Sequence, residues 1–532
     1  MRQENLPPNR ARRNNVKTSP PTQQPDSAKR NLAAIGVMMV IFLFAIDATV
    51  VSTSMPTIVA KLGGLELYSW VFTIYMLTSA LTTPIFGKLA DLFSKRRLML
   101  IGIAIFLIGS TLCGAAQSME AMIVFRAVQG LGGGAIYALS FIVIGVIFPA
   151  EQRAKMQGII SGIWGLASIL GPLAGGVIVE NWNWRWIFFI NLPLIAIATT
   201  LIVVGLKEET ATRRAARLDV AGAFTLIFGL LLLFYALAQS AHARHPLNAE
   251  TSSYIGAGFM LLIVFYFIER RAAEPILPVD LFHIGLYKSS AAVATISAMG
   301  VFGAISYMPL FLQGVIGLTA TATGLVILVL SMGWTAGSLL AGRWINRFGY
   351  RFAAVIGMSL LAIGYAVFVA PQFSASIVAV AFSAGAIGVG MGMANLTTLV
   401  AAQSSVAPQR IGVATSTVML FRTFGSAFAV SVMGTVMLSQ MQNSLGRLRA
   451  ANPTVDAAVW SKLANPQNLL EPLTRAQIPA ELLPKLIGSL SDALWHAFLT
   501  GFVLMLIGLA ISFLMANSTP ANTPRGGKTS RG

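Results

Sequence analysis

Two short stretches decide the fold: Gly87-Lys-Leu-Ala-Asp-Leu-Phe-Ser-Lys-Arg96 and Gly342-Arg-Trp-Ile-Asn-Arg-Phe-Gly-Tyr-Arg351. Gly, Phe and Arg recur in register at a spacing of 255 residues, with Lys88/Arg343 and Asp91/Asn346 close in chemistry. Each stretch is a polar loop that follows a long apolar segment. A loop that returns together with its flanking pattern marks a duplicated multi-helix unit. Parallel repeats about an axis along the membrane normal belong to transporters that rock around a central site.

The composition around these loops agrees with a membrane setting. Of 532 residues, 56% are hydrophobic and 11% charged, against about 45–50% and about 25% in soluble chains. That excludes a soluble enzyme. A helical crossing needs about 20 apolar residues, and on that measure the sequence holds fourteen apolar segments. The expected fold is therefore an all-α integral membrane protein of two six-helix halves with two inserted helices. The expected boundaries are a basic, disordered tail over 1–31, an N-terminal half over 32–206, a linker with the inserted pair over 207–286, a C-terminal half over 287–516 with an outer loop at 439–491, and a second tail over 517–532. The first apolar segment, read as ending at Ser54, is too long for a signal peptide and is expected to act as an insertion signal.

Lys and Arg number 37 against 19 Asp and Glu, a net charge of +18. In a soluble protein this would suggest nucleic acid. Here the cations cluster in the tail and in the loops on the N-terminal side, as at Lys95-Arg96-Arg97, Arg213-Arg214 and Arg270-Arg271. The positive-inside rule then places both termini in the cytoplasm. One cysteine, Cys113, excludes a disulfide framework. His242 and His245 form an isolated outer-loop pair, and no metal or cofactor site is expected.

Charge inside the apolar segments is scarce and costly, so it points to function. Asp47 in helix 1 and Arg126 in helix 4 fall at similar depths, about 11 and about 9 Å from the outer ends. Two roles fit: a static ion pair that fixes packing, or a pair in which Arg126 tunes proton binding at Asp47. Arg422 in helix 13 lies about 16 Å from the cytoplasmic end, with no acid in its own helix, as a substrate or gating candidate. His496 reads as interfacial. Gly171-Pro172 and Gly175-Gly176 in helix 5 allow close helix approach and a kink, either as plain packing or as a seal against the other half. The runs Gly130–Gly134 and Gly385–Gly392 lack the Lys-Ser/Thr of a phosphate loop and read as helix packing. Tyr75, Tyr137, Trp164 and Tyr307, with Trp70, Phe311 and Trp334, are candidates to line an aromatic cavity, or else belong to core and lipid-facing surface.

Taken together these motifs resemble the fourteen-helix drug:proton antiporter branch of the major facilitator superfamily. Leu43-Phe-Ala-Ile-Asp47-Ala-Thr49-Val-Val-Ser-Thr-Ser-Met-Pro56 resembles its helix 1 signature and Arg126-Ala-Val-Gln129-Gly130 its helix 4 signature. Gly165 to Gly176 resembles the helix 5 antiporter signature, and Asn183-Trp-Arg185-Trp-Ile-Phe-Phe-Ile-Asn191-Leu-Pro193 resembles the approach to helix 6. The resemblance implies that Gly87, Asp91, Lys95, Arg96 and Arg97 form a cytoplasmic gate and that Asp47 and Arg126 couple protons. It also implies an exporter of hydrophobic, often cationic, compounds in a plasma or bacterial inner membrane, driven by the proton gradient. Leu92 and Ser94 depart from the gate signature, where Arg and Gly are usual; Arg347 and Gly349 hold those places in the second copy. Leu330 stands where the branch often has proline. A same-fold exporter of a narrow metabolite and a non-transporting sensor are the alternatives, and an adaptor with an outer-membrane channel is left open.

Overall fold

The computed structural model describes residues 27–148, 150–206, 219–242, 249–272, 279–370, 376–407, 410–451 and 481–519. Within a bilayer each backbone polar group must be satisfied inside its own segment, which for apolar runs of this length means helix. Among the described residues, eleven helices are long and apolar enough to cross a membrane, and Gly165–Asn181 and Ala221–Ala236 are shorter apolar helices.

The N-terminal half comprises α1 (Ser27–Leu62), α2 (Tyr68–Leu92), α3 (Lys95–Ala115), α4 (Met119–Ile147), α5 (Ala150–Asn181), the single turn α6 (Trp186–Phe189) and α7 (Asn191–Gly205). The pair α8 (Val220–His242) and α9 (Ala249–Arg271) follows. The C-terminal half comprises α10 (Gly285–Leu310), α11 (Ala320–Val369), α12 (Ile377–Ser404), α13 (Ile411–Ala451) and α14 (Leu483–Ser512).

Helix α11 is 50 residues long, about 75 Å if straight, which is more than twice the hydrocarbon thickness. It breaks at Gly349, where φ is 87°. Only glycine adopts that conformation without a steric penalty. Both arms lie beside one stretch of α12: Gly388 packs on Leu330 and Trp334 of the first arm, while Gly390 packs on Gly357 and Leu361 of the second. The chain therefore reverses at Gly349. In the first copy the equivalent Ser94 has φ −56° and its side chain caps α3 by accepting from the Arg97 amide at 3.5 Å.

Several ends differ from the sequence-based expectation. α1 begins at Ser27, inside the expected tail, and continues past Ser54 to Leu62, where Gly63 and Gly64 turn the chain with positive φ. α13 continues to Ala451 and α14 starts at Leu483, so both ends of the expected 439–491 loop are helical.

The halves meet through exchanged partners. α5 packs on the first arm of α11, and α13 packs on α2; a shift of 255 residues carries α5 onto α13 and α2 onto that arm. Helices α8 and α9 pack on each other through Gly229 and Gly258. They lie against the α2–α13 seam, where Leu226, Phe234 and Phe265 join Met76, Leu77, Leu81 and Ala427 in one apolar cluster. Exposed Phe259, Met260, Ile263 and Phe267 give α9 an apolar outer face, as expected of a helix facing lipid.

Candidate functional site

Asp47 and Arg126 meet inside the N-terminal half. Arg126 Nη1 lies 2.7 Å from Asp47 Oδ2, with side-chain exposures of 1% and 0%. A pair this dry needs every remaining polar atom satisfied, and Gln129 does much of that. Its Oε1 accepts from Arg126 Nη1 at 2.7 Å and its Nε2 donates to Asp47 Oδ1 at 2.8 Å. The i, i+3 spacing of Arg126 and Gln129 puts both on one face of α4. Arg126 Nε reaches the Val71 carbonyl of α2 at 3.5 Å, and its guanidinium sits 3.9 Å from the centre of the Tyr75 ring. The Cys113 thiol of α3 donates to Gln129 Oε1 at 3.6 Å. Together with Gln129, the acid and the base thus tie α1, α2, α3 and α4 together. The sequence offers Gln129 only as a member of the helix 4 signature, with no role of its own, because an uncharged residue ahead of a glycine run gives no separate signal; its bridging role comes from the structure.

The helix 5 signature divides its work. Gly171 and Gly175 pack on Thr49 and Thr53 of α1, within their own half, and Thr49 Oγ1 lies 3.4 Å from the Ala167 carbonyl. Gly176 packs instead on Thr321 of α11, and the Pro172 carbonyl lies against Gly324. Beyond them, Glu180 reaches the start of α11: Oε1 accepts from the Thr321 amide at 2.8 Å and Oε2 from its hydroxyl at 2.5 Å. A carboxylate from one half thus satisfies an amide and the dipole at a helix N-terminus of the other.

More contacts close the same end of the molecule. Tyr68 donates to the Ser306 carbonyl at 2.5 Å and Gln313 to the Thr53 carbonyl at 3.1 Å. Toward the end that carries Ser27, no heavy atom of the described residues lies within 4 Å of where a Cβ would sit on Gly87 or Gly162, apart from chain neighbours and the nearby backbone of their own helices. The side chain of Asp91 lies outside the described residues, as does that of Trp164. Lys95 and Arg96 are half-buried at the start of α3, and Arg97 is exposed.

Of the aromatic candidates, Tyr75 and Tyr137 both pack on Phe44, with centroids 6.2 and 5.4 Å away, while Tyr307 lies apart. Tyr75 belongs to the ion-pair cluster. Tyr307 is fully buried, donates to the Val430 carbonyl at 2.6 Å and packs on Tyr68 with centroids 5.8 Å apart, inside the closed end. Tyr137 of α4 is half-buried against Phe44 and Phe141, with centroids 5.4 and 5.1 Å away, and its hydroxyl donates to Met419 Sδ of α13 at 3.5 Å. Arg422, one turn along α13, directs Nη1 at the same sulfur at 3.6 Å.

The sequence profile of the Major Facilitator Superfamily matches residues 37–430. Over 506 residues the chain is 35% identical to multidrug transporter protein MdtP of Bacillus subtilis (strain 168), covering 92% of this chain and 93% of that protein. Over 492 residues it is 30% identical to multidrug resistance protein 3 of the same organism, covering 92% and 95%. A solved bacterial homologue of the human lysosomal transporter Spinster, inward-facing and unoccupied, is similar in fold, with a TM-score of 0.65 at 16% identity over 92% of this chain and 97% of that one. The repeated loop, the helical architecture and the profile match lead to one assignment: this chain belongs to the Major Facilitator Superfamily.

Proposed function

We propose that this protein is a secondary active exporter that expels hydrophobic drugs in exchange for protons, driven by the proton gradient without a cofactor. Its similarity to transporters named for multidrug transport supports the substrate class. The observation that carries the exchange is the buried Asp47–Arg126–Gln129 cluster. Protonation of an Asp47 oxygen removes the charge that balances Arg126. A buried cation left without its partner costs about 3–5 kcal/mol, enough to drive a rearrangement of α1 against α4. In this reading both termini are cytoplasmic in a plasma or bacterial inner membrane, and the closed end faces outward. Gly176 and the Pro172 carbonyl line the outer seal, while Gly171 and Gly175 hold α5 on α1 behind it rather than facing the other half. Gly87, Asp91, Lys95, Arg96 and Arg97 form the gate that closes when the seal opens.

Efflux of fluorescent hydrophobic dyes from a pump-deleted host tests this directly. Expression of the protein should lower dye retention, and an uncoupler should abolish the effect. Unchanged retention, or efflux that persists with the gradient collapsed, would contradict the proposal.

A further inference from the structure

Arg126 and Arg422, two arginines deep within apolar helix segments, have opposite surroundings. Arg126 is matched by a carboxylate, whereas Arg422 has none among the described residues: Met419 Sδ is its contact at 3.6 Å, and its Nε is buried with no hydrogen-bond partner. A guanidinium stays charged at any working pH; Arg422 is half-buried, and a buried Nε that meets no acceptor is costly. A thioether is a weak acceptor. Yet the Tyr137 hydroxyl from the N-terminal half and Arg422 from the C-terminal half both converge on this one sulfur. Asp47 and Arg126 cancel, so the net charge contributed by these three side chains is positive. Beside the two donors, Phe44 and Phe141 flank the Tyr137 ring.

We propose that Arg422 and Tyr137 form an anion subsite, which takes the carboxylate or sulfonate of a hydrophobic organic acid whose apolar body rests on Phe44 and Phe141. The acid group displaces the Met419 sulfur, accepts from the guanidinium and the phenol, and so bridges the two halves. Lipophilic cations are disfavoured at this subsite by the same charge. The inference rests on the exporter reading and narrows its substrate class.

Binding measures the subsite without requiring transport. The purified full-length protein is titrated near neutral pH with naphthylacetate and with its uncharged amide, naphthylacetamide. The wild type should prefer the acid by about 10- to 100-fold, the range of a charge-assisted hydrogen bond. Arg422→Gln should erase the preference, Arg422→Lys should keep part of it, and Tyr137→Phe should reduce it. Equal binding of the two probes by the wild type, no binding of the acid, or a preference that survives in Arg422→Gln overturns the subsite. Should Arg422→Gln fail to fold, the wild-type preference and its reduction in Tyr137→Phe decide the same point. Dye efflux is scored separately. Its absence overturns the exporter reading, while acid selectivity in binding still reports on the subsite.

Discussion

At the scale of single residues, the interior separates charge that is balanced from charge that is available. Asp47 and Arg126 were legible in the sequence because a charge in an apolar helix stands out, and the side chains prove to be in direct contact. Gln129 has no such contrast, being an amide in an apolar segment, and is legible only as a member of the helix 4 signature. The aromatic residues were legible only as a class: nothing in the sequence separates Tyr307, sealed between helices, from Tyr137, which stands beside Arg422. Interdependence of the pair predicts non-additive stability. Asp47→Asn and Arg126→Gln should each destabilise the solubilised protein by about 3–5 kcal/mol by stranding the partner, while the double variant should lose less than the sum. A double-mutant cycle of unfolding midpoints checks this, and simple additivity would rule out a coupled pair.

Among the elements, the seam between α5 and α11 carries the closure of the end opposite Ser27. Its close approach depends on Gly176 lying against the Thr321 backbone, and its far end is fastened by Glu180 on the α11 N-terminus. Gly176→Leu has no room in the closed arrangement and should hold the outer end open, seen as faster labelling of a cysteine placed at Thr53 in a Cys113→Ser background. Glu180→Ala removes the two hydrogen bonds to Thr321 but leaves the Thr319 cap of α11 in place, and should shift labelling in the same direction by a smaller amount. Unchanged labelling in both would remove the seam from the gating account. The sequence marked the glycines and proline but not their division between α1 and α11, because small residues announce close packing without naming the partner. Helix ends were the least legible feature: polar residues near Leu62 and Ala451 read as loops, yet the helices run through them.

For the whole molecule, the repeat was the most legible feature and explains the most. Two copies related by 255 residues give two seams built from exchanged partners, α5 on α11 and α13 on α2. At the end opposite Ser27 the first seam is closed by Gly176 on Thr321 and the second by Gly434 against Ser69. The inserted α8 and α9 brace one seam from outside, a position that hydropathy cannot reveal because it reports length and polarity, not neighbours. If the halves rock because Asp47 changes protonation, the proton and the drug must move in a fixed relation. The most direct measurement is drug-driven proton movement in proteoliposomes, recorded with a pH-sensitive dye for the wild type and for Asp47→Asn. The account predicts a proton flux with the wild type when a transported drug gradient is imposed, and none above background with correctly folded Asp47→Asn. Undiminished proton flux in that variant would contradict it.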